Sequence, residues 1–304
     1  MIPALESKNV RMKNKAEVYR KIEKLVEGGF DKLQIITDFD RTLSKYHHNG
    51  EIMKSSYMVF ETIPVLPPNF ISETDKLYKK FRAIEDDPKM TIEQKLPYME
   101  EWWRLSERLF VGMPCNQQLI KQAVIDCDLN LRTGTHTAFN RLREAAVPIL
   151  VFSAGLGDVV KAVLEHEHLM HENVHVVSNF FRIENNQITS FLGEQIHIFN
   201  KNQHAIENTS YFQDVSHRPN VILMGDSLGD ANMDEGVHGD VVTVKIGFLS
   251  VNMDEYLPQY LEKFDIVLLD DQTMDIFNAI LDQFAKGPNI CIPAFMYLHS
   301  RLGK

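Results

Sequence analysis

The chain has 304 residues, enough for two average domains or for one large core that carries an insertion. Hydrophobic residues make up 44% and charged residues 24%, which excludes a disordered chain, and the formal net charge of −10 disfavours sequence-blind binding to DNA or RNA. Three cysteines without a C-x-x-C pair, no basic-then-apolar leader and no apolar run of membrane length lead to the expectation of a cytoplasmic protein without disulfides or membrane segment.

In chain order, a strand is predicted at 33–37, followed by an interval at 46–130 that reads as helices at 72–84, 91–110 and 116–130. Thr91, with Gln94 three residues on, is a helix-start signature. Pro64, Pro67 and Pro68 mark the entry to this interval, and Pro114 separates two of its helices. Beyond it, short runs rich in β-branched residues predict strands at 147–152, 174–177, 221–224, 241–244 and 266–269, with helices at 158–166 and 274–284. Their near-continuous apolar character fits strands buried on both faces, and the alternation predicts an α/β fold built on a parallel sheet. The expected organisation is a discontinuous core, 1–45 and 131–304, interrupted by a helical cap domain at 46–130. The tail at 287–304, with Pro288 and Pro293, is expected to lie beyond the packed core.

The first strand ends in Asp38-Phe39-Asp40-Arg41-Thr42, which delivers two carboxylates to the edge where ligands of open α/β sheets bind. A lone D-x-D is also what a turn after a strand looks like. However, Met224-Gly225-Asp226-Ser227-Leu228-Gly229-Asp230 repeats the arrangement. Two strands offering acids at one edge repel unless a cation lies between them, and a small cluster of hard oxygen ligands suits Mg²⁺. A third strand ends Phe152-Ser153-Ala154-Gly155-Leu156-Gly157-Asp158, where a hydroxyl and small residues lead into a helix. Exposed amides at such a helix start favour an anion such as phosphate. Lys201 sits in a short polar segment, where a lysine taken alone is ordinary surface.

Taken in order, D-x-D-x-T, Ser153, Lys201 and G-D-S-x-G-D resemble the four motifs of the haloacid dehalogenase superfamily of phosphatases, and the inserted helices resemble its cap. Glu101-Trp102-Trp103, Phe152-Ser153-Ala154-Gly155, Val177-Ser178-Asn179-Phe180, Asn200-Lys201 and Gly225-Asp226-Ser227 are similar, more narrowly, to the cytosolic pyrimidine 5′-nucleotidase III family over about 33–284. The resemblance implies a Rossmann-like core of the haloacid dehalogenase type. It also implies Mg²⁺-dependent hydrolysis of nucleoside 5′-monophosphates through an aspartyl-phosphate.

Residue by residue, the resemblance makes Asp38 the nucleophile and Asp40 the general acid for the departing 5′-oxygen, then the base for water. Mg²⁺ would be held by Asp38, the backbone carbonyl of Asp40, and Asp226. Ser153, the Ala154 amide and Lys201 would bind the phosphate. Asp230 either supports the site, orienting Lys201 or a water, or caps a helix. In the cap, Phe81-Arg82-Ala83-Ile84-Glu85 and the Trp102-Trp103 segment match the family's base-binding stretches. Glu85 becomes the base-binding acid, Trp103 the aromatic facing the base and Ser106 a polar contact, while one of the two tryptophans is plain cap core. Because indole is the best face for a cation, Trp103 implies that 7-methylguanosine monophosphate is accepted besides CMP and UMP.

A sugar phosphatase of the same chemistry, a nucleotide phosphotransferase and a catalytically silent nucleotide binder are the competing readings. A monomer acting on a small nucleotide, with no nucleic-acid polymer or membrane as partner, is expected. His166-Glu167-His168-x-x-His171 lacks the i, i+4 histidine pair of a zinc helix, because position 170 is Met. His47-His48 lies beside the first motif, but its spacing demands no role. Neither G-x-x-x-x-G-K-[ST] nor G-x-S-x-G occurs, which disfavours a P-loop motor and a serine hydrolase.

Overall fold

The computed structural model describes residues 2–85, 87, 90–198, 200–201 and 210–287. Apart from Gly287, the tail at 287–304 lies outside the described residues. The chain opens with β1 (Val10–Arg11) and α1 (Lys15–Gly28), whose Val18, Tyr19, Ile22, Leu25 and Val26 form one buried face. Asn14 caps α1 by accepting the Glu17 amide. Neither element is among those predicted above: β1 has only two residues, and α1, despite its helical spacing, carries no chemical motif.

After β2 (Leu33–Thr37) comes a hairpin, β3 (His47–His48) and β4 (Glu51–Ile52). It turns on Asn49 and Gly50, both at positive φ, as a two-residue hairpin turn requires. The interval at 46–130 is therefore not purely helical, and the Asn-Gly pair was its legible signal. Then follow α2 (Ser56–Phe60), α3 (Phe70–Glu85), α4 (Ile92–Phe110), α5 (Gln117–Cys127) and α6 (Thr135–Glu144). Thr91 and Gln94 form the expected reciprocal capping box at the start of α4. The remainder runs β5 (Ile149–Leu156), α7 (Gly157–His166), β6 (Val174–Asn179), a hairpin of β7 (Phe181–Glu184) and β8 (Gln187–Phe191), α8 (Ser210–Val215), β9 (Asn220–Gly225), β10 (Val242–Leu249), α9 (Met253–Lys263), β11 (Ile266–Leu269) and α10 (Asp275–Lys286).

Seven strands form one sheet in the order β1-β11-β10-β9-β2-β5-β6. All neighbours pair in parallel except β1 with β11. Every residue of β2 and β9 is buried, as their near-continuous apolar character predicts. Alternate residues feed opposite layers: Ile35, Val151 and Ile222 enter one hydrophobic cluster, while Ile36, Leu150 and Val221 enter the other. From β2 the chain builds outward through β5 and β6, then returns to β9 on the other side of β2. That reversal opens the crevice in which such sheets bind ligands. Thr37 pairs in register with both Met224 and Val151, so the loops after β2, β9 and β5 emerge at one edge.

Above that edge, α3 and α4 pack on each other and α4 meets β8, while α2 and α5 lie against α7. Phe60, Phe70, Phe110, Phe181 and Phe191 join these elements, with ring centroids 5.0 to 6.0 Å apart. No helix among the described residues is long and apolar enough to cross a membrane.

Candidate active site

Asp38 leaves β2 with its amide donating to the Met224 carbonyl at 3.0 Å, which ties the first motif to the strand carrying Asp226. Lys201 lies between acids from two loops. Its Nζ donates to Asp38 Oδ1 at 2.7 Å and to Asp230 Oδ1 at 2.6 Å, and the ammonium is buried. The second Asp230 oxygen accepts from the Asp226 amide (3.2 Å) and from the amide (3.0 Å) and hydroxyl (2.8 Å) of Ser227. Asp230 is thus the first residue of a single 3-10 turn rather than a helix cap, and both of its oxygens are engaged in orienting Lys201 and the loop. Gly225 permits this: a Cβ there would sit 2.3 Å from Asp230 Cβ.

Oxygens of Asp38, Asp226 and Asp230 lie within 4.8 Å of one another. Burial, reinforced by Asp230, pushes the Asp226 carboxyl up to about 7. Burial likewise raises Asp38, where Asp230 and Asp226 add to it against the opposing pull of Lys201. Burial works against the Lys201 charge, yet Asp230 and Asp38 outweigh it and raise its pKa. One ammonium therefore does not relieve Asp38 and Asp226. Asp38 and Asp226 are hard oxygen donors in need of further positive charge, a donor set that fits a divalent cation of the Mg²⁺ type.

On the other flank, Asp40 is gripped by Ser56, the first residue of α2: the Ser56 amide donates to Oδ1 at 2.8 Å and the hydroxyl to Oδ2 at 2.6 Å. Burial raises the Asp40 pKa. Ser153 and Ala154 occupy the end of β5, which continues to Leu156 with an irregular register after Phe152. Two amides just before α7 are already engaged. The Gly155 amide donates to Ser153 Oγ at 3.0 Å and the Leu156 amide to Ser56 Oγ at 3.2 Å. The Ala154 carbonyl accepts from Asn179 Nδ2 (3.0 Å) and from the Tyr57 hydroxyl (3.5 Å).

The two tryptophans divide as neighbours on a helix must. Trp102 stacks on Phe81 at 5.8 Å and 10°, inside the α3–α4 pair. Trp103 turns to Tyr57 (6.1 Å) and Phe191 (6.4 Å), with Ser106 three residues on along the same face. Glu85 ends α3, where it pairs with Arg82 at 2.9 Å, and its carbonyl accepts from Lys95 at 2.6 Å. Arg82 in turn helps to lower the Asp226 pKa, so the end of α3 lies within electrostatic reach of the acid cluster.

Several residues of this edge escaped the sequence reading. Ser56 and Tyr57 carry only a weak helix-start signal, and no motif gives Asn179 a role. Arg132 is fully buried, donates to the carbonyls of Thr42 (2.7 Å) and Arg41 (2.5 Å), and stacks its guanidinium over Phe248 at 4.0 Å. It holds the loop that follows Asp40, and no motif announces it. His47 bonds Asp270 at 2.8 Å, tying the first hairpin to the loop after β11. Among the described residues His166, His168 and His171 form no metal-type cluster.

A family model described as pyrimidine 5′-nucleotidase (UMPH-1) matches residues 41–285. A Drosophila melanogaster protein named 7-methylguanosine phosphate-specific 5′-nucleotidase is 43% identical over 295 residues, covering 96% of this chain and 92% of its own. A crystal structure of cytosolic 5′-nucleotidase IIIB bound to cytidine superposes with a TM-score of 0.90 at 43% identity, covering 94% of this chain and 96% of that one. A probable phosphoserine phosphatase from Vibrio cholerae shares the fold, with a TM-score of 0.52 at 15% identity over 86% of this chain and 68% of its own. The core is accordingly of the haloacid dehalogenase type, and the chain belongs to the pyrimidine 5′-nucleotidase family, as a 5′-nucleotidase of the phosphoric monoester hydrolase class.

Proposed function

We propose that this protein hydrolyses nucleoside 5′-monophosphates, namely CMP, UMP and 7-methylguanosine monophosphate, to nucleoside and phosphate with Mg²⁺ as cofactor. The observation that carries the reading is Lys201 bridging Asp38 and Asp230 beside Asp226, at the edge where β2 and β9 meet. Asp38, the Asp40 backbone carbonyl and Asp226 would hold the ion, which supplies positive charge against the phosphoryl oxygens. Asp38 attacks phosphorus as the P–O5′ bond breaks, and the proton on the Asp40 carboxyl passes to the departing oxygen. Asp40, now ionised, takes a proton from the water that releases phosphate from Asp38. Lys201 orients Asp38 and neutralises phosphate, held in turn by Asp230, while Ser153 and the Ala154 amide bind the remaining oxygens.

The segment at 46–130 serves as the cap, with base selection assigned to α3 and α4. Glu85 accepts hydrogen bonds from base N–H groups, Ser106 adds a polar contact, and Trp103 stacks on the base. A ring carrying positive charge gains further attraction to indole, which supports the methylated purine as a substrate. The names of the Drosophila relative and of the cytidine-bound structure support the same two base classes. A monomer in the cytoplasm is the setting we propose, in keeping with the word cytosolic in the name of the matched structure.

The test is phosphate release from a panel of nucleoside and sugar monophosphates, with and without Mg²⁺, using Asp38→Asn as the blank. Mg²⁺-dependent release from CMP, UMP and 7-methylguanosine monophosphate is expected. Faster turnover of sugar phosphates would overturn the assignment of the cap.

A further inference from the structure

We infer that Ser56 is a positioning residue for the acid–base carboxylate, and that the insertion thereby takes part in leaving-group protonation; this rests on the assignment of Asp40 made above. Both Asp40 oxygens receive a donor from this single residue, one from its amide (2.8 Å) and one from its hydroxyl (2.6 Å). A carboxylate held at both oxygens has its plane and its reach fixed. The hydroxyl accepts from the Leu156 amide at 3.2 Å, which leaves its own proton to point at Asp40. Ser56 is fully buried, and it opens α2, which packs against α7 and β5. Three parts of the chain therefore meet on one hydroxyl: the loop after β2, the inserted segment, and the end of β5.

The neighbouring glycine records how tight this junction is. A Cβ on Gly155 would lie 2.2 Å from Ser56 Oγ and 2.8 Å from Asp40 Oδ2. A side chain there and the grip on Asp40 cannot coexist. A hydroxyl kept for helix capping alone would not explain this closeness, because Ser55, not Ser56, caps α2 by accepting the Met58 amide.

The consequence is specific to the leaving group. A nucleoside 5′-alkoxide needs a proton to depart, whereas 4-nitrophenolate does not. kcat/KM reports steps up to the departure of the leaving group, so it isolates the contribution of the acid. Purified Ser56→Ala, Ser56→Cys and Asp40→Asn are compared with the unmodified protein on CMP and on 4-nitrophenyl phosphate. Ser56→Ala is expected to lose roughly 10- to 100-fold in kcat/KM on CMP, part of what a well-placed general acid supplies. Its loss on the aryl ester should stay within about threefold, since no acid is needed there. Ser56→Cys, a weaker donor of similar size, should fall between Ser56→Ala and the unmodified protein on CMP alone.

Turnover of the aryl ester by the same preparations reports that the site is folded. Equal losses on both substrates in both serine variants, or no loss on CMP, would overturn the inference. If Asp40→Asn discriminates between the substrates while Ser56→Ala does not, only the role of Ser56 fails. If Asp40→Asn does not discriminate, the assignment of Asp40 fails first.

Discussion

The carboxyl edge of the sheet and the α3–α4 pair above it are built on opposite terms. At the sheet edge Asp38, Lys201 and Asp230 are buried and tied to one another by bonds of 2.6 and 2.7 Å. In the α3–α4 pair Trp103 is half-buried, and it meets the rings of Tyr57 and Phe191 at 53° and 85° rather than through a bonded network. A buried ionic network tolerates little displacement, because removing one member leaves a desolvated charge behind. Aromatic faces accept a range of flat partners with little directional demand. The first arrangement suits one reaction performed on any monoester, the second a choice among bases.

The comparison breaks first at Asp38. Asp38→Asn removes the nucleophile while keeping the shape of the side chain, and activity should fall by at least ~10⁴-fold on every substrate alike, as when a nucleophile is lost elsewhere. Phosphate release from CMP and from an aryl phosphate checks this; a loss confined to nucleotides would move the nucleophile elsewhere. Trp103→Ala should act the other way. Loss of base stacking, on the order of 1–3 kcal/mol, predicts about 5- to 150-fold weaker kcat/KM on 7-methylguanosine monophosphate. Turnover of the aryl phosphate should scarcely change. Trp102→Ala sharpens the contrast, since its stacking on Phe81 is internal to the α3–α4 pair. It should lower the melting temperature while preserving the ratio between the two substrates. Equal ratios in the two tryptophan variants would sink the division of labour between them.

How much of this was legible in the sequence follows the same divide. The acids after β2 and β9 announced themselves because a buried strand ending in carboxylates is a costly pattern that demands a reason. Lys201 was legible only through the order of the motifs; nothing local distinguishes a buried lysine from a surface one until Asp38 and Asp230 close on it. The choice between Trp102 and Trp103 was open because both fit a helix between core and solvent, and only the path of α3 decides it. Ser56 and Arg132 were invisible for a different reason: their partners, Asp40 and the Arg41 carbonyl, lie 16 and 91 residues away. The β3–β4 hairpin, by contrast, is written plainly in Asn49-Gly50, although helical period dominates the interval around it.

The smallest expected effect tests why the acid cluster tolerates so much like charge. In the folded protein without a divalent cation, burial and then Asp230 hold the Asp226 carboxyl at about 7, against 3.8 for the free side chain. Between these values the folded state keeps a proton that the unfolded chain has lost. The stability contributed by Asp226 is therefore complete at low pH and declines as pH rises through about 7. A cation that binds the ionised carboxylate must displace that proton. Its apparent affinity should thus rise about tenfold per pH unit below the folded value and level off above it. Melting temperatures measured with and without Mg²⁺ from pH 5 to 8 read this directly. The increment produced by Mg²⁺ should grow with pH toward 7 and then flatten, and Asp226→Asn should reduce it and weaken its pH dependence. An increment that is the same at pH 5 and 8, or that survives unchanged in Asp226→Asn, would mean that the crowded carboxylates are relieved by some other charge.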